Sequence, residues 1–211
     1  MSRSLDFLPV KDNKMKEKLR QFRKRVQKET KDKLAEMPFQ DKLDGRDPQS
    51  CSELADSIYR NMRKEEGEYL LEPDYLKKIQ GEIKDTSRAF LIEWVIDVHR
   101  KFRLQPETLY VNVHVIDQYL SREPIGKSQL HLLGITTILI STKYEEIYPP
   151  KLLDLIQVAE NKFSEKAVLE MERSVLQVLD FQVTAPSAFR FMQRFRRLSV
   201  FLNDDEISFF A

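Results

Sequence analysis

Residues 130–142, LHLLGITTILIST, are apolar or small on every side of the helix they would form. A helix without a polar face has to be surrounded, so this stretch sets the architecture: a central rod with other helices packed around it. A membrane is the other place to hide such a surface. The longest uncharged apolar run, around 132–140, falls far short of the roughly 20 residues a span needs, so no membrane partner is expected.

The neighbours of the rod follow from helical periodicity. SELADSIYRNMRKEEGE has a Ser/Asp-rich entry, apolar Leu54, Ile58 and Met62 at spacing four, and Gly67 beyond its end, which predicts an outlying first helix. In DTSRAFLIEWVIDVHRKFR, Asp85, Thr86 or Ser87 can cap, and Leu91, Trp94, Val95, Val98 and Phe102 make one stripe. Pro106 suits the first turn of the next helix, whose face carries Leu109, Val113, Ile116 and Leu120 before Pro124. The rod spans about 127–146, with Gly134, Thr136 and Thr137 permitting close approach. A shorter helix follows Pro150, and Ser164 caps a last one striped by Val168, Leu169, Val175, Leu176 and Leu179. The expectation is an all-α bundle of five helices, four around the third, preceded by an N-terminal helix. With 41% hydrophobic residues, the chain has enough apolar side chain for such a core.

Other residues exclude functions. A single cysteine, Cys51, leaves no internal disulfide and no zinc ribbon, which fits a reducing compartment. His99, His114 and His131 have no ligand spacing, no phosphate-cradling glycine motif occurs, and Cys51 has no adjacent base, so neither an enzyme nor a metal or cofactor is expected. A net charge of +1 predicts no nucleic-acid partner. The stretch MKEKLRQFRKRVQKETKDKL reads either as a basic amphipathic helix or as a solvated arm, with a weak nuclear-import patch at RKRVQK. PFQDKLDGRDPQS reads as linker.

Four charged residues sit where apolar ones belong. Lys143 follows Leu139 by four positions on the core side of the rod, and Glu172 falls between Leu169 and Leu176 on the last helix, so the two are expected to pair. Arg88 borders the Leu91, Val95 and Val98 stripe while Asp117 lies beside Val113 and Leu120, so a second pair is expected to fix packing. Beside Lys143 the sequence YEEIYPP stops the rod in an aromatic, acidic tip, which reads as a docking surface.

SRAFLIEWVIDVHRKFRLQPETLYVNVHVIDQYL, LHLLGITTILISTKYEEIYPP and EKAVLEMERSVLQVLDF resemble the cyclin box of A- and B-type mitotic cyclins over about 87–187. The five signature residues of that box match Arg88, Asp117, Leu132, Lys143 and Glu172. The resemblance implies a domain plan: a basic, flexible arm at 1–50, a helix and connector at 51–85, the cyclin box at 86–182, and at 183–211 a linker with the incomplete start of a second cyclin fold. It also implies a regulatory subunit that binds and activates a cyclin-dependent protein kinase in the nucleus and cytoplasm. The counterparts of Lys143 and Glu172 bond the kinase main chain, and those of Ile140, Leu176 and Val183 receive an isoleucine. Tyr144, Glu145, Ile147 and Phe181 would frame the contact, and the helix with Ile58, Tyr59 and Met62 would clasp the other lobe.

A substrate-docking patch is implied at Ser87, Phe90, Leu91, Trp94, Asp97 and His131. Ser87, Phe90 and His131 depart from the family's usual residues there, so altered recruitment of Arg-x-Leu peptides is expected. RAFL and RSVL, the two Arg-x-x-Leu matches, fall inside predicted helices and so are not accessible degradation signals. NDDEISFFA starts a helix with an Asn203 cap, and Phe201, Phe209 and Phe210 are expected to be exposed. A scaffold that binds a kinase or another protein without activating it is the alternative. Helical repeats of this kind also grip DNA in general transcription factors, but here the box is not markedly basic.

Overall fold

The computed structural model describes residues 51–198 and, before them, Glu17, Arg20, Gln21, Lys24, Arg25, Asp41 and Gly45. The rest of the arm, Asn203 and its helix, and Phe201, Phe209 and Phe210 lie outside the described residues. All regular structure among the described residues is helical. α1 is Ser52–Glu65, α2 Tyr75–Ile79, α3 Asp85–Phe102, α4 Pro106–Leu120, α5 Leu130–Glu145, α6 Leu152–Val158, α7 Glu165–Val178 and α8 Ala188–Leu198. Short 3-10 turns at Glu66–Tyr69 and Lys127–Gln129 follow α1 and lead into α5.

α5 is the rod. Every residue from Leu133 to Thr142 is buried, because α3, α4, α6 and α7 pack around it. Its hydroxyls cause no desolvation loss: Thr136 donates to the Leu132 carbonyl, Thr137 to Gly134, Ser141 to Ile138 and Thr142 to Ile138 and Leu139, all at 2.8–3.1 Å. Around it one continuous core joins Leu91, Val95 and Val98 of α3, Val111, Val115, Ile116 and Leu120 of α4, and Val168, Met171 and Val175 of α7. Each such side chain stabilises the fold by about 1.5–3 kcal/mol when fully buried. Gly134 is needed where α3 crosses α5, since a Cβ there would lie 2.7 Å from Leu91 Cδ1.

Helix ends follow local chemistry in part. Pro106 opens α4 in the first turn, and the Ser164 hydroxyl accepts the Ala167 N–H at 3.2 Å to cap α7. At α3 the expectation fails: Lys84 is the extended residue before the helix, and Asp85, Thr86 and Ser87 lie within its first turn without capping it. There the Asp85 charge still complements the positive end of the helix dipole.

One stripe is phased differently from the expectation. On α7, Leu169 is 47% exposed, and Met171 takes the inner position with Val168 and Val175. Spacings of three and four from Val168 select Met171 and Val175, whereas Leu169 sits 100° round the helix. On α1, Leu54 and Ile58 face water while Ser52 and Ala55 are buried. α8, whose sequence the resemblance assigns to the start of a second fold, lies against α4, with Phe189 stacked on Tyr110 at 5.8 Å. Asp41, within the stretch read as linker, is buried and paired with Arg194 of α8.

Candidate functional site

α5 and α7 lie side by side, and at the C-terminal end of α5 Lys143 Nζ meets Glu172 Oε1 at 2.7 Å. The glutamate side chain is 15% exposed and the lysine 50%, so the pair forms an edge rather than a core contact. This corrects the core-side placement of Lys143: one turn beyond Leu139 the rod is already leaving the bundle. Leu169, Glu172 and Leu176 share a face of α7 at spacings of three and four, which adds exposed Leu169 to the residues expected at this edge. Ile140 and Val183 are buried and Leu176 half-buried, while Tyr144, Ile147 and Phe181 are exposed. Tyr148, the second aromatic of the YEEIYPP tip, is 91% exposed.

Phe181 is held outward by its backbone. Asp180 and Phe181 have φ of 49° and 59°, in the left-handed region that strains a non-glycine residue by about 1–2 kcal/mol. Hydrogen bonds from the Phe181 N–H to the Leu176 carbonyl at 2.8 Å, and from the Gln182 N–H to Leu179 at 2.9 Å, hold the turn.

The acidic half of the tip folds inward, contrary to expectation. Glu146 Oε1 accepts the Gln105 backbone N–H at 2.7 Å and the Thr108 hydroxyl at 2.6 Å, so it caps α4 from the end of α5. Glu145 Oε2 lies 3.8 Å from Arg190 Nη2 on α8, and its side chain is mostly buried. Burial pushes the Glu145 carboxyl above its ordinary 4.5; Glu107 and Glu146 add to the rise, and Arg190 opposes it. The projecting surface is therefore apolar and aromatic around one ion pair.

The second expected pair is a triad. Arg88 Nε and Nη2 donate to Asp117 Oδ1 and Oδ2, both at 2.6 Å, and the Tyr75 hydroxyl donates to Oδ1 at 2.7 Å. The bond to Asp117 raises the affinity of the Arg88 guanidinium for its proton, and burial first, then the Asp117 charge, raises the Tyr75 phenol. Tyr75 lies on the five-residue α2, where no sequence period could reveal it.

Of the remaining expected residues, Ile58 is exposed, whereas Tyr59 and Met62 are half-buried. The Tyr59 ring is taken up internally, with Arg194 Cζ 5.2 Å from its centroid and Phe191 at 6.4 Å. A groove of about 380 Å³ brings together Ser87, Phe90, Leu91, Trp94, Lys127 and His131. Leu91 is buried there, Phe90 is exposed, and the Trp94 and His131 rings meet edge-on at 4.4 Å. Burial lowers the His131 pKa, and Lys162 adds to the effect. Asp97 is not in this groove; its exposed carboxylate lies 3.8 Å from Arg100, two turns along α3 from Phe90. No group of His, Cys, Asp or Glu among the described residues could hold a metal ion.

The sequence matches the family described as "Cyclin, N-terminal domain" over residues 57–184, more than half of the chain. The chain belongs to the cyclin family. Its relatives include both A- and B-type cyclins. The chain is 42% identical over 151 residues to Cyclin-A1-4 of Oryza sativa subsp. japonica, covering 72% of this cyclin and 42% of the relative. It is 40% identical over 154 residues to the G2/mitotic-specific cyclin-B of Marthasterias glacialis, covering 73% and 39%. With Cyclin-B1-1 of Arabidopsis thaliana it shares 35% over 175 residues, covering 83% and 40%. This cyclin thus spans well under half the length of these relatives. The solved structure of a viral cyclin from herpesvirus saimiri superposes with a TM-score of 0.60 at 21% identity, covering 70% of this chain and 65% of that one, and shares the fold.

Proposed function

We propose that this cyclin binds and activates a cyclin-dependent serine/threonine kinase in mitotic control, in the nucleus and cytoplasm, and carries no catalysis of its own. The observation that supports this reading best is the half-exposed Lys143–Glu172 pair at the end of α5, in a molecule that also exposes Tyr144, Ile147, Leu169 and Phe181. An ion pair holding spare donors and acceptors at an apolar edge suits recognition of a partner's main chain. Activation would be a population shift, the cyclin binding only the kinase state in which the regulatory helix is turned in. Moving that equilibrium from about 1:99 to 99:1 takes about 5.5 kcal/mol of differential affinity.

The test is binding and phosphorylation with Lys143→Ala, Glu172→Ala. Removing an exposed pair changes fold stability by about 1 kcal/mol at most, whereas losing its bonds in a closed interface weakens binding by about 2 kcal/mol or more. Kinase binding that survives the double substitution would remove these residues from the site. A kinase held tightly with no gain in phosphorylation would favour the scaffold alternative.

Ser87, Phe90 and His131 in the α3–α5 groove support altered recruitment of Arg-x-Leu peptides. Low-micromolar binding of a standard peptide of that type would contradict it.

A further inference from the structure

α1 displays Leu54 and Ile58 to solvent, yet none of its residues belongs to the continuous core. Its direction has to be set by something other than core packing. The grip is on Tyr59, whose ring packs against Phe191 of α8 and lies under the guanidinium of Arg194. Arg194 is gripped in turn by Asp41: Nη2 donates to Oδ2 at 2.6 Å, and Nη1 donates to Oδ1. The arginine side chain is 11% exposed and the aspartate 3%. Three segments remote in sequence thus meet at one guanidinium, whose edge is read by a carboxylate and whose face by a phenol ring.

The two contacts depend on each other. Without Asp41 the guanidinium would be a buried charge lacking its counter-ion, and it would turn toward water, uncovering Tyr59. α1 would then lose the contact that sets its angle to α8.

We propose that Asp41 and Arg194 are positioning residues: their ion pair holds α1 so that its Leu54 and Ile58 face and the Lys143–Glu172 edge engage one kinase together. This rests on the kinase-docking reading above. The ion pair removes the orientational freedom of α1 before the partner arrives, so its contribution appears as affinity although neither residue need touch the partner.

The experiment is a binding cycle on the full chain with a purified monomeric cyclin-dependent kinase of the mitotic class. Asp41→Asn and Arg194→Met are each expected to weaken binding about tenfold or more. Ile58→Ala is expected to weaken binding in the parent chain but to add nothing in Arg194→Met, because α1 is already misdirected there; Lys143→Ala adds its full loss in both backgrounds. A general loss of folding would instead erase both effects. Parental affinity in Arg194→Met, or an equal Ile58→Ala loss in both backgrounds, overturns the proposal. Should the parent bind no kinase, or the Lys143→Ala, Glu172→Ala chain bind as the parent does, the docking reading falls and amide hydrogen exchange decides. Faster exchange in α1, with the bundle protected as before, in Arg194→Met upholds the positioning role, and unchanged α1 exchange overturns it.

Discussion

Glu146 closes the N-terminus of α4 from the far end of α5, through hydrogen bonds from the Gln105 N–H and the Thr108 hydroxyl. Its removal leaves two donors without a protein acceptor at a helix start. Glu146→Ala is expected to lower stability by about 1–2 kcal/mol, read as the shift in a urea unfolding midpoint at unchanged slope. An unshifted midpoint would show that solvent serves those donors as well.

Glu145 predicts a pH dependence. Its carboxyl titrates above 4.5 in the folded state, so protonation favours the fold and stability is lost as pH rises through the window from 4.5 to the raised value. Glu145→Gln should therefore be more stable than the parent at neutral pH and equal to it below the window. Thermal melts across that range test this, and a variant less stable at pH 7 would mean that attraction to Arg190 outweighs burial.

The Arg88–Asp117–Tyr75 triad carries a different signature. Arg88→Met leaves the Asp117 carboxylate with Tyr75 alone, at an expected loss of about 2–3 kcal/mol, below the full buried-pair value because Arg88 keeps some contact with water. Tyr75 ionises above its ordinary 10.0, so its contribution is intact below 10 and is lost as pH climbs through the raised value. Tyr75→Phe should delete the most alkaline step from an ultraviolet tyrosine titration.

Gly134→Ala would place a methyl 2.7 Å from Leu91 Cδ1 and 3.3 Å from Trp94 Cζ3. Overpacking of about 1–3 kcal/mol opposes a helix-propensity gain of about 1 kcal/mol, leaving a net loss near 1 kcal/mol. Because both displaced residues line the α3–α5 groove, the indole fluorescence of Trp94 should shift with it. A stabilised variant with unchanged fluorescence would show that Leu91 moves without resistance.

What the sequence disclosed depended on period. Arg88, Asp117, Lys143 and Glu172 interrupt apolar stripes of long helices, so helix phase alone paired them, and the rod was evident because no charged residue interrupts it before Lys143. Tyr75 was invisible because α2 is too short to have a phase. The Asp41–Arg194 pair joins positions 153 residues apart, and nothing local at either end points to the other. Glu145 and Glu146 read as a projecting acidic tip because charge suggests solvent; the open start of α4 and Arg190 turn them inward. Leu169 and Met171 exchanged places because a stripe of mixed three and four spacings admits two phases.

The hydroxyls of α5 bond back to carbonyls of their own helix, and among the described residues only the Asn112 amide reaches across to one of them, at 3.2 Å from Ser141. A spindle that settles its own polarity asks its neighbours for little beyond volume. What the enclosing helices supply along the rod is therefore mostly shape, and specific charge enters only where the rod emerges, at Lys143 and Glu172.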